Sequence, residues 1–206
     1  MALTIGILIF DGAEELDFVG PYEIFTMSNE VRHLMKSEAP ELEVRLISRD
    51  EMPITCAKGM MVSPHQGLDG QMDWDVILIP GGIGTRKLID DRALLQWVAD
   101  TAENCTWVTS VCTGALVLSA SGVARGKRVT THWAYVEELR NRKEVAEVLE
   151  NVRFVRDGNL VTAAGVSAGI DMALWLLGHI ASPAHARAVQ RAVQYDPEPP
   201  YQDEAG

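Results

Sequence analysis

Thr106-Trp-Val-Thr-Ser-Val-Cys-Thr-Gly-Ala-Leu-Val-Leu118 is the stretch that decides the fold. Trp107 to Val111 is apolar and β-branched and reads as a buried strand. Gly114 to Ala120 is small and apolar and reads as the start of a buried helix. Cys112 then falls on a tight strand-to-helix turn, a nucleophile elbow that holds a reactive atom clear of the sheet at a helix N-terminus. There the N–H groups and the helix dipole favour a thiolate. A buried, inert thiol is the other reading of a free cysteine, so the question becomes what else converges on Cys112.

Outward from this turn, strands alternate with helices. Leu3 to Phe10 is a continuous apolar run, as expected of a strand buried on both faces. Asp17 stands in N-cap position before a helix that carries Pro21 in its first turn. Leu42 to Ser48 reads as a second strand, and Met52 to Pro64 as an irregular β excursion around Lys58-Gly59. Asp75 to Pro80 is another buried strand and runs into Gly81-Gly82-Ile83-Gly84. Ala93 to Ala102 has helical spacing, Arg128 to Thr131 reads as a short strand, and Trp133 to Leu149 as a charged amphipathic helix. Asn151 to Arg156 and Asn159 to Ala163, joined by Asp157-Gly158, form a hairpin. Ser167 to Ile180 and Ala184 to Gln194 complete the helices. This alternation predicts an α/β fold, a doubly wound and mostly parallel sheet with helices on both faces, with any site at the C-terminal ends of the strands. Residues 1–195 read as a single domain and 196–206 as a Pro-rich tail.

Composition narrows the function. At 206 residues, 47% hydrophobic and 23% charged, the chain is an ordinary soluble globular protein able to bury a core without staples. A net charge of -11 argues against nucleic acid or an anionic membrane as partner. The first apolar run is short and lacks a basic leader, so it reads as a core strand and not a signal peptide. Three cysteines, Cys56, Cys105 and Cys112, are an odd count that suits free thiols in a cytoplasmic protein, with Cys105 structural.

Three segments should meet Cys112. Gly12-Ala-Glu-Glu-Leu-Asp17 follows the first strand, and a carboxylate beside a thiol can move the proton that addition and hydrolysis require. Asp17 as a helix cap is compatible with that role. Pro80-Gly-Gly-Ile-Gly offers the N–H groups of Gly82 and Ile83 to developing negative charge. Its spacing is not that of a nucleotide loop, since Lys87 stands where a third glycine belongs. His132 follows a strand; it can orient the thiolate or simply be satisfied by backbone. The five histidines show no metal-ligand spacing, so neither a metal nor an organic cofactor is expected.

Phe10-Asp-Gly-Ala-Glu-Glu-Leu-Asp17, Gly20-Pro21, Pro80-Gly-Gly, Ser110-Val-Cys-Thr-Gly-Ala, Thr130-Thr-His-Trp, Ala168-Gly-Ile-Asp171 and Tyr195-Asp-Pro-Glu-Pro-Pro occur in this order over nearly the whole chain. In these motifs the chain resembles the ThiJ/PfpI superfamily, whose fold is flavodoxin-like and that of the class I glutamine amidotransferases. It is most similar to the isonitrile hydratase branch, which has an aspartate after strand one and a threonine after the cysteine, here Asp17 and Thr113. The peptidase-like branch has histidine at the Thr113 position, and the glyoxalase and deglycase branch has glutamate at that of Asp17. Related transcription regulators append a helix-turn-helix domain, which this chain, ending at Gly206, is expected to lack.

The resemblance implies a cofactor-independent hydratase for a small molecule. Cys112 would add to an isonitrile carbon to give a thioimidate, Asp17 would act as acid and base, and water would release an N-substituted formamide. Thr113 would position Asp17 or the water, with Gly82, Ile83 and His132 at the substrate. The proton would be shared between Cys112 and Asp17 as a coupled pair. Two alternatives use the same cysteine: a glyoxalase-type enzyme on small carbonyl compounds, and a redox sensor without turnover. Relatives form homodimers, and the apolar start of the helix Asp17 to Met27 suits such a contact. Ser167, Ala168 and Gly169 are small enough for a helix to pack closely beside Cys112, or to move when it is modified.

Overall fold

The computed structural model describes residues 2–70 and 73–197. In chain order the elements are β1 (Leu3–Leu8), α1 (Glu15–Met35), β2 (Leu42–Ile47), β3 (Ile54–Thr55), β4 (Met61–Val62), β5 (Val76–Ile79), α2 (Thr85–Leu88), α3 (Arg92–Asn104), β6 (Trp107–Val111), α4 (Gly114–Ala120), β7 (Arg128–Val129), a 3-10 turn (Trp133–Tyr135), α5 (Val136–Arg142), β8 (Glu147–Val148), β9 (Phe154–Asp157), β10 (Leu160–Ala163), α6 (Ala168–Ile180) and α7 (Pro183–Ala192).

Six strands form the main sheet in the order β2-β1-β5-β6-β10-β9. All neighbours are parallel except the β9–β10 hairpin at one edge. The central strands are the continuous apolar runs: β5 and β10 are buried at every position, as is β6 after Trp107. Such strands are sandwiched between helices. On one side α1, α6 and α7 pack together; on the other α4 lies over β5 and β6 among α2, α3 and α5. The strand order reverses beside β1, since β2 lies on one flank and β5 on the other, and a crevice at that reversal is where an α/β sheet binds its ligand.

The β/α alternation, the parallel sheet and its two helical layers agree with the sequence reading, and the differences are local. Asp17 is not the N-cap of α1. Gly12, at φ +79°, turns the chain early, Ala13 bridges to Gly82, and Glu14 becomes the cap residue, which puts Asp17 inside the helix and fully buried. Pro21 accordingly lies beyond the first turn, where its missing N–H deprives the Asp17 carbonyl of its helical donor. The β excursion over 52–64 is a short antiparallel hairpin, β3–β4. The long charged helix expected over 133–149 stops at Arg142, with Lys143 left-handed at φ +57°. The chain then returns as β8 to pair with β7, and the Arg140 guanidinium holds the Val148 carbonyl at 3.0 Å. The hairpin turn is Gly158-Asn159, one residue later than expected, because Asp157 pairs with Leu160. The Pro-rich tail falls, from residue 198 onward, outside the described residues.

Candidate active site

Only two residues separate β6 from α4, so the chain reverses direction at Cys112. Its φ is +55°, a left-handed conformation that costs a non-glycine residue about 1–2 kcal/mol. Neighbouring groups hold it there. The Cys112 N–H donates to the Ala163 and Ala164 carbonyls at 3.1 and 2.8 Å, and its carbonyl accepts the Thr131 hydroxyl at 2.8 Å. Gly114 is required next in line: a Cβ there would lie 2.1 Å from the Ile79 carbonyl oxygen of β5. The small residues after the cysteine thus let α4 sit against the sheet while the thiol stands at its end.

Around Gly81, just after β5, three groups meet. A Cβ on Gly81 would lie 2.5 Å from the Thr113 nitrogen, 2.8 Å from Asp17 Oδ2 and 2.8 Å from Cys112 Cβ. The absence of a side chain at Gly81 is what allows carboxyl and thiol to approach. Asp17 Oδ2 accepts the Gly81 N–H at 2.9 Å, while Oδ1 is buried without a hydrogen-bond partner. A buried carboxyl oxygen left unpaired is unusual, and the group facing Asp17 here is the thiol of Cys112. The Thr113 hydroxyl accepts the Gly82 N–H at 3.0 Å and lies 3.2 Å from the Thr85 hydroxyl, which in turn donates to the Gly82 carbonyl at 2.8 Å.

Burial dominates the electrostatics. Cys112 is 6% exposed. Desolvation pushes its thiol up to about 12, and the facing Asp17 charge adds to this; the N–H groups of Thr113 and Val166 and the Thr113 hydroxyl pull the other way. Burial thus opposes the thiolate that a helix N-terminus favours, and α4, seven residues long, offers only a short dipole against it. Burial also raises Asp17 from the ordinary 3.8 to about 7, against the Gly81 N–H that favours its anion, with Glu14 adding repulsion. Burial of both groups leaves the pair sharing one proton, which can pass between carboxyl and thiol.

The other residues singled out in the sequence lie further out. The Gly82 N–H is committed to the Thr113 hydroxyl, and the N–H groups that favour the Cys112 thiolate are those of Thr113 and Val166. Ile83 is 64% exposed, its side chain against Gly12. His132 stacks on Gly165 and accepts the Ala134 N–H at Nδ1, which caps the 3-10 turn; its ring forms part of the wall of a cavity of about 300 Å³ that Val166 also lines. Gly81 and Val166 were not singled out. Val166 carries no signal in the sequence, since a valine at φ +41° is set by packing alone. Among the described residues no cluster of three or more His, Cys, Asp or Glu side chains is arranged to hold a metal, and no helix is long and apolar enough to cross a membrane.

Known proteins are similar to this chain over most of its length. The DJ-1/PfpI family model matches residues 4–179. The chain is 38% identical over 201 residues to isonitrile hydratase of Pseudomonas putida, covering 98% of this chain and 82% of that one. A ThiJ/PfpI family protein from Pseudomonas syringae superposes with a TM-score of 0.86 at 27% identity, covering all of this chain and 80% of the other. Drosophila melanogaster DJ-1beta shares the fold, with a TM-score of 0.80 at 19% identity over 96% of this chain and the whole of its own. A cysteine on a strand-to-helix turn in a sheet of this order, with a family match across both, leads to one assignment: the chain belongs to the DJ-1/PfpI family.

Proposed function

We propose that the chain is an isonitrile hydratase-like enzyme in which Cys112 is the nucleophile and Asp17 its acid and base. The observation that carries this reading is the buried, unpartnered Oδ1 of Asp17, on a carboxyl that shares the space around Gly81 with Cys112. The 38% identity to isonitrile hydratase supports the choice of substrate class.

Asp17 as carboxylate takes the thiol proton while the sulfur attacks the terminal isonitrile carbon. The resulting acid then gives that proton to the carbon, forming a thioimidate, N=CH–S, on Cys112. Asp17, again a carboxylate, draws a proton from water as its oxygen adds to the thioimidate carbon and passes that proton to the nitrogen. Asp17 then takes the remaining hydroxyl proton as C=O forms and the C–S bond breaks, and hands it to the departing thiolate, releasing the N-substituted formamide. The sum is one isonitrile plus one water. The N–H groups of Thr113 and Val166 stabilise the sulfur when it leaves as thiolate. The chain's own groups supply every proton transfer in this sequence, so it runs without a cofactor.

A redox sensor without turnover is the other use of this cysteine, and 6% exposure gives an oxidant little access to it. Small carbonyl substrates remain the competing chemistry for the same cysteine. Incubation with an aryl isonitrile tests the reading: it expects many formamide molecules per enzyme, lost in Cys112→Ala, and is overturned if methylglyoxal is turned over and the isonitrile is not. We further infer a homodimer through the start of α1, where Leu16 and Val19 are 38% and 39% exposed. Light scattering that gives a monomer mass would contradict it.

A further inference from the structure

Two motifs stand apart from the proton transfers, Ala168-Gly-Ile-Asp171 and the tail beginning at Tyr195, and they meet in space. Asp171 lies in the first turn of α6. Its Oδ1 accepts the Tyr195 hydroxyl at 3.0 Å, and its Oδ2 accepts Arg153 Nε at 2.6 Å and is ion-paired with Arg153 Nη2. Arg153 therefore comes to α6 with its planar fork fixed by one carboxylate.

From there Arg153 holds both ends of the short segment Ala164–Ser167. Its carbonyl accepts the Ala164 N–H at 2.9 Å, and its Nη2 donates to the Ser167 hydroxyl at 3.1 Å. Within this segment the Ala164 carbonyl accepts the Cys112 N–H at 2.8 Å, and the Val166 N–H works against the upward push of burial on the thiol. Val166 has φ +41°, a conformation a β-branched residue keeps only where its surroundings impose it. The imposing contacts are Arg153 at both ends and His132 packed on Gly165, where a Cβ would lie 2.4 Å from the His132 ring.

We propose that Arg153, Asp171 and Tyr195 form a positioning clamp that keeps Val166 left-handed and the Ala164 carbonyl on the Cys112 N–H, so that the turn at Cys112 holds its form and the thiol stays reactive. None of the three is a catalytic residue; each acts through the backbone of Val166. The proposal rests on the reading of Cys112 as nucleophile, and its test does not use isonitrile turnover.

The experiment is the rate of Cys112 alkylation by iodoacetamide from pH 7 to 10, read by peptide mass so that Cys56 and Cys105 are scored separately. Asp171→Ala is the deciding variant, because two explanations give it opposite signs. Removing a negative charge would, through the field alone, ease thiol ionisation and speed alkylation. Loss of the clamp frees the segment that holds the Cys112 turn and slows it, by about tenfold at fixed pH, the effect of moving the thiol by about one pH unit. Ser167→Ala, which removes only the guanidinium contact and leaves every charge in place, should slow alkylation in the same direction by a smaller factor. Arg153→Lys keeps the charge but not the fork, and should fail to restore the wild-type rate. Rates equal to or above wild type in folded Asp171→Ala and Ser167→Ala overturn the clamp. A wild-type Cys112 inert to alkylation through pH 10 overturns the clamp, which holds that the thiol is kept reactive, whereas absence of hydratase activity with a reactive thiol overturns only the substrate.

Discussion

Replacing Asp17 by asparagine should make the protein more stable at alkaline pH and leave it much less changed in acid. The cause is the buried carboxyl, raised from 3.8 to about 7. Below pH 3.8 both folded and unfolded chains hold the proton and Asp17 contributes nothing. Between these values the unfolded chain releases the proton while the fold keeps it, so stability falls as pH rises; above about 7 the loss is complete. A displacement of this size corresponds to about 4 kcal/mol, of which more than half accrues between about pH 5 and pH 8. His65, His132 and His185 are shifted the opposite way by burial, so they weaken the fold as pH falls below about 6.5. They are common to wild type and Asp17→Asn, so the difference between the two proteins isolates this one side chain. The asparagine amide still offers an oxygen to the Gly81 N–H, and no new cavity is made. Urea denaturation at pH 5 and pH 8 measures the gap, which should widen by about 2–3 kcal/mol toward alkaline pH, or by about 5–10 °C in Tm. Parallel pH profiles for the two proteins would refute the argument that burial holds the Asp17 proton. In the same variant the Cys112 thiol should titrate lower than in wild type, since the facing charge that helps raise it is gone; an unchanged thiol titration would break the coupling.

Three further outcomes follow from the same geometry. Catalytic efficiency on an isonitrile should rise with pH through about 7, because Asp17 must be ionised to take the thiol proton; a pH–rate profile that is flat there, or falls, would contradict it. Thr113→Val removes the acceptor of the Gly82 N–H and one donor to the sulfur, and should cost about 1–2 kcal/mol in denaturation while slowing Cys112 alkylation. Gly114→Ala sets a methyl group 2.1 Å from the Ile79 carbonyl oxygen, backbone against backbone, and should destabilise by at least about 3 kcal/mol; a wild-type melting curve would show that α4 can shift freely off the sheet.

The periodicities that carry the fold were legible because they are local: continuous apolar strands, a small-residue turn at Cys112, and turn glycines between them. The three-residue grouping of Cys112, Asp17 and Thr113 was legible for the same reason, since each follows a strand and the strands are parallel members of one sheet. What escaped is set by tertiary enclosure. Glu14 rather than Asp17 caps α1 because Ala13 pairs with Gly82, a contact between segments far apart in sequence. The end of α5 at Arg142 depends on β8 finding β7, although Val145 and Val148 fit a helix pattern equally well. The sign of the thiol's shift needed the depth of its burial, because a helix N-terminus and an apolar enclosure act in opposite directions on the same group. Val166 was invisible, since nothing in the residues Gly165-Val-Ser announces a left-handed valine.

The central claim is that the Cys112 sulfur becomes bonded to the isonitrile carbon during turnover. Acid-quenching the enzyme while it consumes an aryl isonitrile, followed by peptide mass analysis, tests this directly. The account predicts the mass of one isonitrile added to the peptide that carries Cys112, and neither adduct nor formamide with Cys112→Ala. Formamide released by Cys112→Ala at the wild-type rate would contradict it.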